Sequence, residues 1–204
     1  MKAVITTLAL ALALSICGCG GSVAQPSSTS VPVTFYGDSL TAFWPLAQSF
    51  PEKPYKNDGT YGLTAVTLSS NFDSSVPPTH PDLVMILAGT NDVLQGDNAA
   101  HIFSTLTGMY DNARAQGIPF AVCTLPPMAR SAADAHNAVI VDLNRQLRNY
   151  AAANQIPLAD YYSSLVDPSS GELQAAFSLD NVHLTSAGYA AITPIAAKAI
   201  AAAR

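Results

Sequence analysis

The chain has 204 residues, of which 49% are hydrophobic and only 11% are charged, and its formal net charge is −5. This length suits one domain with a sizeable core. Binding to nucleic acid is not expected, because contacts with phosphates need clustered Lys and Arg side chains that this chain lacks. The composition favours a neutral or apolar ligand, and we expect a monomer.

The N-terminus has the features of an export signal. Lys2 precedes an apolar stretch of about fourteen residues, which suits a signal sequence and is short for a helix that spans a bilayer. Two cleavage sites fit the sequence. Cleavage before Cys19 would yield a lipoprotein, whereas cleavage after Ser22-Val23-Ala24 would release a secreted protein.

The stretch from Gly20 to Ser30 is rich in small and polar residues and reads as a flexible tether under either choice. We therefore divide the chain into a signal at 1–24, a tether at 25–30 and a folded domain at 31–204. The protein is expected in the periplasm or cell envelope. A lipid at Cys19 would be its one link to a membrane.

Short apolar runs alternate with segments of helical period from residue 31 onward, which is typical of βαβ units and a parallel sheet. The third and fourth runs are almost continuously apolar, as expected for strands covered on both faces. We predict an α/β fold with a five-stranded parallel sheet in the flavodoxin-like order 2-1-3-4-5. The candidate strands are VPVTFY (31–36), PYKN (54–57), DLVMILAG (82–89), IPFAVCTL (118–125) and IPLADY (156–161).

Helices are predicted between these strands. Apolar residues recur at helical spacing over 102–113 and 139–150. A last helix is predicted from about Ser186 to the C-terminus, with Pro194 inside it. Residues 164–184 fit neither a strand nor a long helix, and such segments in compact domains are often functional.

Cys123 is the one cysteine certain to lie in the folded domain, so no internal disulfide is expected. Its apolar surroundings favour a buried thiol over a reactive one.

Ser39 follows the first predicted strand, in the stretch FYGDSLTAFWP. In isolation it is an ordinary helix N-cap. A serine becomes a nucleophile only when a base takes its proton and another group orients that base. Ligands of doubly wound sheets bind where the winding reverses, here between strands one and three. Ser39 and the segment GTND at 89–92 would flank that crevice.

Four histidines are candidate bases. His80 precedes strand three and is expected at the opposite pole, whereas His101 and His136 open helices after strands three and four and stay open as candidates. His183 has Asp180 three residues before it, close enough for the carboxylate to fix the imidazole tautomer. The alternative is a loop in which Asp180 caps a turn and His183 is solvated.

Two further segments could supply hydrogen-bond donors. Asn91 in LAGTNDV either forms a turn or donates its amide to the oxygen that becomes negative in a tetrahedral intermediate. NDGTYGLT at 57–64 follows strand two, and its two glycines either aim N–H groups at a ligand or form a flexible turn.

Four motifs in order resemble those of the GDSL, or SGNH, hydrolase family: GDSL at 37–40, NxGxxGxT at 57–64, GTND at 89–92 and DxxH at 180–183. The resemblance covers residues 31 to about 200. It implies a serine esterase or lipase with a three-layer α/β/α fold, no metal and no cofactor.

The resemblance also implies roles for individual residues. Ser39 would be the nucleophile, His183 the base and Asp180 its orienter. The backbone N–H groups of Ser39 and Gly62 and the side chain of Asn91 would form the oxyanion hole. We also expect Ser39 to cap the helix that it begins.

Gly59 and Leu63 lie in the same segment as Gly62. Gly59 would be the supporting turn. Leu63 stands where many relatives have Asp, which leaves the local hydrogen bonding open.

We therefore expect an exported hydrolase that cleaves a short- or medium-chain acyl ester, a thioester or a lysophospholipid. A polysaccharide O-acetyl esterase and a non-catalytic carbohydrate-binding domain of this fold are the alternatives. A metal-dependent phosphoesterase would instead use Asp38, Asp92, Asp180 and His183. The expected lining of an apolar pocket is Phe43, Trp44, Tyr61, Leu94 and the segment LPPM at 125–128.

Overall fold

The computed structural model describes residues 32–129 and 133–203. The predicted signal and tether at residues 1–30 lie outside the described residues, so export and lipidation at Cys19 stay predictions. Within the two described ranges, no helix has the length and apolar character needed to cross a membrane.

A five-stranded parallel sheet forms the centre of the fold, in the order β2-β1-β3-β4-β5. The sheet order and all five predicted strands are confirmed, although each strand begins one or two residues later than predicted. Strands β1, β3 and β4 are buried along their whole length, as their apolar sequences indicate. The strands are β1 (Val33–Gly37), β2 (Lys56–Gly59), β3 (Leu83–Leu87), β4 (Phe120–Cys123) and β5 (Leu158–Ala159).

Eight α-helices occur among the described residues, and they pack in two groups. The helices α3 and α6 both contact α5, while α2 and α7 contact α8. The two predicted helical stripes lie on α5 and α6, and the predicted last helix is α8, which contains Pro194. The helices are α1 (Ser39–Ala42), α2 (Leu46–Ser49), α3 (Ala65–Ser75), α4 (Thr90–Leu94), α5 (Ala99–Ala115), α6 (Ala133–Asn154), α7 (Tyr161–Leu165) and α8 (Ser186–Ala202).

Three predicted motifs meet at one edge of the sheet because the strands before them end in register. Gly37, the last residue of β1, is paired with Gly59 of β2 and with Leu87 of β3. Ser39, the segment 60–64 and the segment 89–92 therefore leave the sheet side by side. This is the carboxyl edge, where ligands of such sheets bind.

At Gly59 the strand β2 passes close to the backbone of α1. A Cβ at Gly59 would lie 2.1 Å from the backbone nitrogen of Ala42. The Asn57 side chain closes the same contact by donating to the carbonyl groups of Thr41 at 2.8 Å and Trp44 at 3.1 Å. Gly59 is thus required for a close approach of two backbones, which corrects its interpretation as a turn residue.

We expect Gly59→Ala to lower the free energy of unfolding by about 3 kcal/mol or to prevent folding, because backbone atoms cannot yield as a flexible side chain would. Gly62→Ala is the control. Gly62 has φ +72 with no atom within 4 Å of a Cβ, so the same change there should cost about 1 kcal/mol of backbone strain. Urea unfolding measures both, and equal losses would contradict the steric explanation.

Candidate active site

Ser39, His183 and Asp180 form one hydrogen-bonded row. His183 Nε2 lies 2.8 Å from Ser39 Oγ, and His183 Nδ1 lies 2.7 Å from Asp180 Oδ2. Ser39 and His183 are 144 positions apart in the chain, so the fold alone brings them together. These contacts have the arrangement of a nucleophile, a base and a group that orients the base.

Asp38 positions Ser39 by capping α1. Its carboxylate accepts a hydrogen bond from the Leu40 N–H at 2.9 Å, and Asp38 is the N-cap residue. The prediction that Ser39 caps this helix is therefore wrong. Because Asp38 satisfies the N–H, the Ser39 hydroxyl is free to face His183, although the residue is only 8% exposed.

Asp180 both shapes its loop and holds the imidazole. Its Oδ1 accepts from the backbone N–H groups of His183 at 2.8 Å and Val182 at 3.1 Å, while its Oδ2 contacts the ring. The loop closes with a bond from the Leu179 N–H to the His183 carbonyl at 2.8 Å. Asp180 thus caps the turn, but His183 is not solvated as that alternative expected: its side chain is 23% exposed and its Nε2 contacts Ser39 Oγ.

The charge on Asp180 decides where the protons lie. Partial burial acts to raise the pKa of Asp180, but hydrogen bonds from His183 and Val182 outweigh that effect and lower the pKa. An ionised carboxylate only accepts hydrogen bonds, so His183 Nδ1 carries the ring proton. In the neutral imidazole Nε2 is then an acceptor, and the Ser39 hydroxyl donates to it.

Asn91 lies across the cleft from this row, near the start of α4. Its side-chain Nδ2 donates one hydrogen bond to the Leu63 carbonyl at 2.9 Å. An amide carries two such hydrogens, so this bond fixes the orientation of the group and leaves one donor for a ligand. Ser39, Gly62 and Asn91, the three predicted oxyanion donors, all line the cleft that contains His183.

Asp92 holds the same turn from the next position. Its Oδ2 accepts a hydrogen bond from the Ala65 N–H at 2.8 Å. Asn91 and Asp92 thus bind the backbone of residues 63–65, next to Gly62. The sequence did not predict this role of Asp92. The bond to Leu63 uses its carbonyl, so Leu in place of Asp at that position leaves the bond intact.

The cleft is small and largely apolar. It has a volume of about 350 Å³. The Phe43 ring packs edge-to-face against His183 at 5.0 Å and against Tyr61 at 4.9 Å between ring centroids. The cleft is lined by Ser39, Phe43, Tyr61, Gly62, Asn91, Leu94, Asp180, Val182 and His183.

Two parts of the predicted pocket lie elsewhere. Trp44 is 3% exposed and packs in the core against Phe35 at 5.3 Å and Tyr161 at 5.7 Å. The segment 125–128 is buried and is not part of the cleft lining. A wider depression of about 690 Å³ lies between α2 and α8, and it contains none of the candidate catalytic residues.

The other histidines do not belong to this site. His80 follows the 3₁₀ turn before β3, at the opposite edge of the sheet. The His101 imidazole contacts Asp97 at 2.5 Å, and His136 lies on α6. In the part of the chain that the structure describes, no group of three or more His, Cys, Asp or Glu residues is placed to hold a metal ion.

Cys123 is buried, as predicted, and its thiol contacts the Tyr161 hydroxyl at 3.7 Å. Burial raises its pKa to about 12, so the thiol stays protonated and unreactive at neutral pH.

Asp38 is a buried acid next to the candidate nucleophile. Burial, with a smaller contribution from the Asp92 carboxylate, raises the pKa of Asp38 to about 7 against the opposing effect of the hydrogen bond from the Leu40 N–H. In an unfolded chain the same group would titrate near about 4.

This shift predicts a pH-dependent stability. Between about pH 4 and pH 7 folded Asp38 keeps a proton that the unfolded chain has lost, so the free energy of unfolding falls as the pH rises through that window. Asp38→Asn lacks this titration. We expect the wild type to lose on the order of 3 kcal/mol relative to the variant between about pH 4 and pH 8. Denaturant unfolding at both pH values measures the difference, and parallel curves would contradict the prediction.

Comparisons with known proteins show the family and the fold. The model of the GDSL-like lipase/acylhydrolase family matches residues 35–191. A Bacteroides fragilis structure assigned as an acylhydrolase is 31% identical, with a TM-score of 0.79 over 88% of this chain and 91% of that chain. A GDSL-like lipase from Bacteroides thetaiotaomicron is 30% identical, with a TM-score of 0.78 over 88% and 92%.

A more distant structure shares the fold. It is an acetylxylan esterase from Geobacillus stearothermophilus, solved as a catalytic mutant, with 18% identity and a TM-score of 0.69 over 83% of this chain and 94% of that chain. No match was found among the curated proteins.

Proposed function

This chain belongs to the GDSL-like lipase/acylhydrolase family, and we propose that it hydrolyses carboxylic esters with Ser39 as the nucleophile. The observation that carries the proposal is the row from Asp180 through His183 to Ser39, with contacts of 2.7 and 2.8 Å. The Asn91 amide faces the same cleft and supplies a donor for the developing negative charge.

The first half of the reaction forms an acyl-enzyme. Ser39 Oγ attacks the ester carbonyl carbon while its proton moves to His183 Nε2, and Asp180 stabilises the resulting imidazolium. The carbonyl oxygen becomes negative and accepts hydrogen bonds from the Asn91 amide and from the N–H groups of Ser39 and Gly62. The bond to the alcohol oxygen then breaks, and His183 returns the proton to the leaving alcohol.

The second half repeats these steps with water. His183 Nε2 takes a proton from water, whose oxygen attacks the acyl carbon and forms a second tetrahedral intermediate in the same hole. The bond from the acyl carbon to Ser39 Oγ breaks, the proton returns to Oγ, and the carboxylic acid leaves. The two halves together consume one ester and one water and release the alcohol and the carboxylic acid.

The cleft favours a small and neutral acyl group. Its volume of about 350 Å³ is at the low end for ligand sites. The acidic and basic side chains in its lining, Asp180 and His183, are the ones that we assign to catalysis. Phe43, Tyr61 and Leu94 are 47%, 60% and 42% exposed and form an apolar rim. We propose short-chain esters as the substrate class. An acetyl group on a polysaccharide meets the same size limit, and the acetylxylan esterase shares the fold.

The test is a series of p-nitrophenyl esters from acetate to palmitate, assayed beside acetylated xylan with Ser39→Ala as the blank. We expect kcat/KM to be highest for acetate or butyrate and to fall as the acyl chain lengthens. Release of acetate from xylan would identify the polysaccharide as the alcohol part. A preference for palmitate would contradict the proposed substrate class, and no hydrolysis above the Ser39→Ala blank would contradict the proposed function.

A further inference from the structure

The segment LPPM at 125–128 follows β4, and its backbone N–H and carbonyl groups cannot all form hydrogen bonds within the segment. Pro126 and Pro127 have no N–H, so neither can donate to a ladder or turn. Leu125 and Met128 on either side are 0% and 4% exposed. Buried N–H and carbonyl groups need partners, and here α6 supplies them.

Two asparagines on α6 provide these partners with the same geometry. Asn144 accepts from the Leu125 N–H at 2.8 Å and donates to the Leu125 carbonyl at 2.8 Å. Asn137 accepts from the Met128 N–H at 2.8 Å and donates to the Met128 carbonyl at 2.9 Å. They are two helical turns apart, so they lie on one face of α6, and both are buried.

The two asparagines hold opposite ends of the segment 125–128, and these ends contact different parts of the fold. Asn144 holds the end of the segment nearest the sheet, where the Thr124 N–H donates to the Ala159 carbonyl of β5 at 3.0 Å. Asn137 holds the other end, where the Ala129 N–H donates to the Asn181 carbonyl at 2.9 Å. Asn181 immediately follows Asp180 in the loop that carries His183.

A second contact joins the Asn137 end to the same irregular region. The Met128 carbonyl also accepts the Leu173 N–H at 3.1 Å, and Asn137 Nδ2 lies 3.4 Å from the Gly171 carbonyl. Asn181 has φ +77, in the left-handed region that Asn adopts more readily than most residues. Its backbone is fixed by the bond from the Ala129 N–H to its carbonyl and by the bond from its own N–H to Ser178 Oγ at 3.0 Å.

We propose that Asn137 is a positioning residue for the catalytic loop, acting through Met128 and Ala129 on Asn181 and so on Asp180 and His183. This inference rests on the proposed function. Asn144 makes an equivalent pair of hydrogen bonds but anchors a part of the segment that does not contact the loop. The two residues therefore separate a loss of loop position from a loss of core stability.

The experiment compares purified Asn137→Ala and Asn144→Ala with the wild type, using p-nitrophenyl acetate, thermal unfolding and the downfield proton resonance of the imidazole Nδ1–H. We expect Asn137→Ala to lower kcat by roughly tenfold and to change KM by less than about twofold. A displaced base reduces the stabilisation of the transition state more than it reduces the affinity for the substrate. Its downfield resonance should broaden or disappear. The unfolding temperature of Asn144→Ala should be equal to or lower than that of Asn137→Ala. Its kcat should stay within about twofold of the wild type, and the resonance should be retained.

Equal effects of the two changes on kcat and on the resonance, including no effect from either, would overturn the proposal. If Asn137→Ala does not fold, Asn137→Asp takes its place with Asn144→Asp as the control, since ionised Asp keeps the acceptor and loses the donor. Ser39→Ala is assayed alongside. Activity that survives Ser39→Ala would refute the proposed function itself, whereas equal behaviour of the two asparagine variants with an inactive Ser39→Ala would refute this inference alone.

Discussion

Replacement of Ser39 by alanine is expected to lower kcat for p-nitrophenyl acetate by roughly 10⁴- to 10⁶-fold, with little change in KM. Alanine removes the oxygen that forms the acyl-enzyme and leaves the cleft otherwise intact. His183→Ala should have a loss of similar size, because Ser39 is a poor nucleophile without a base at 2.8 Å. The double variant should lose no more than either single one, since the two groups act as a unit.

Ser70→Ala is the matched control. Ser70 is an exposed serine on α3 whose hydroxyl donates to the Val66 carbonyl of its own helix, and it does not line the cleft. Its kcat should equal that of the wild type, and circular dichroism should show all variants folded. Turnover by Ser39→Ala within tenfold of the wild type would exclude Ser39 as the nucleophile.

Asn91→Ala is expected to lower kcat by roughly 100- to 1,000-fold, about 3 to 4 kcal/mol of transition-state stabilisation, with a smaller effect on KM. The amide donates to an oxygen that becomes negative only as the tetrahedral intermediate forms. Its orientation is already set by the bond to the Leu63 carbonyl at 2.9 Å, so it needs no rearrangement during the reaction.

Two variants separate the donor of Asn91 from its structural bond. Asn91→Asp keeps the size of the side chain but has no donor when ionised, so it should lose at least as much activity as Asn91→Ala. Asp92→Asn changes the charge next to it and keeps an oxygen that can accept the Ala65 N–H, so kcat should change by less than about fivefold. If Asn91→Ala and Asp92→Asn had equal kcat values, Asn91 would have no special part in the oxyanion hole.

The sheet was predictable from the sequence because its central strands, β1, β3 and β4, are apolar runs separated by segments of helical period. That pattern allows few topologies, and the common order 2-1-3-4-5 is confirmed. The order in turn indicates which loops share an edge. The proximity of Ser39 and the segment 89–92 was therefore predicted from the strand order, whereas the place of Gly62 came from the family resemblance.

Side-chain directions in short elements were not predictable in the same way. Asp38 and Ser39 are both good N-cap residues, and the choice between them depends on which side chain reaches the Leu40 N–H. Phe43 lines the cleft while its neighbour Trp44 enters the core. α1 has only four residues, too few to show a period that would assign its faces.

The positions of Asn137 and Asn144 indicate a buried hydrogen-bond partner, which an analysis of apolar residues alone does not detect. Asn137 and Asn144 fall on the same stripe of α6 as the buried residues Ile140 and Leu147. A polar residue on a buried stripe needs a hydrogen-bond partner, so their positions indicate a buried backbone segment nearby. Which segment it is depends on how α6 packs, and that is set by the whole fold.

The most direct test is covalent labelling of the folded protein with a fluorophosphonate, with the modified peptide located by mass spectrometry. We predict rapid labelling of Ser39 in the wild type, loss of labelling in Ser39→Ala and labelling slower by at least a hundredfold in His183→Ala, because a serine without its base does not react readily. A folded wild-type protein that leaves Ser39 unmodified, or a His183→Ala variant that labels as fast as the wild type, would contradict the role of Ser39 and His183 as nucleophile and base.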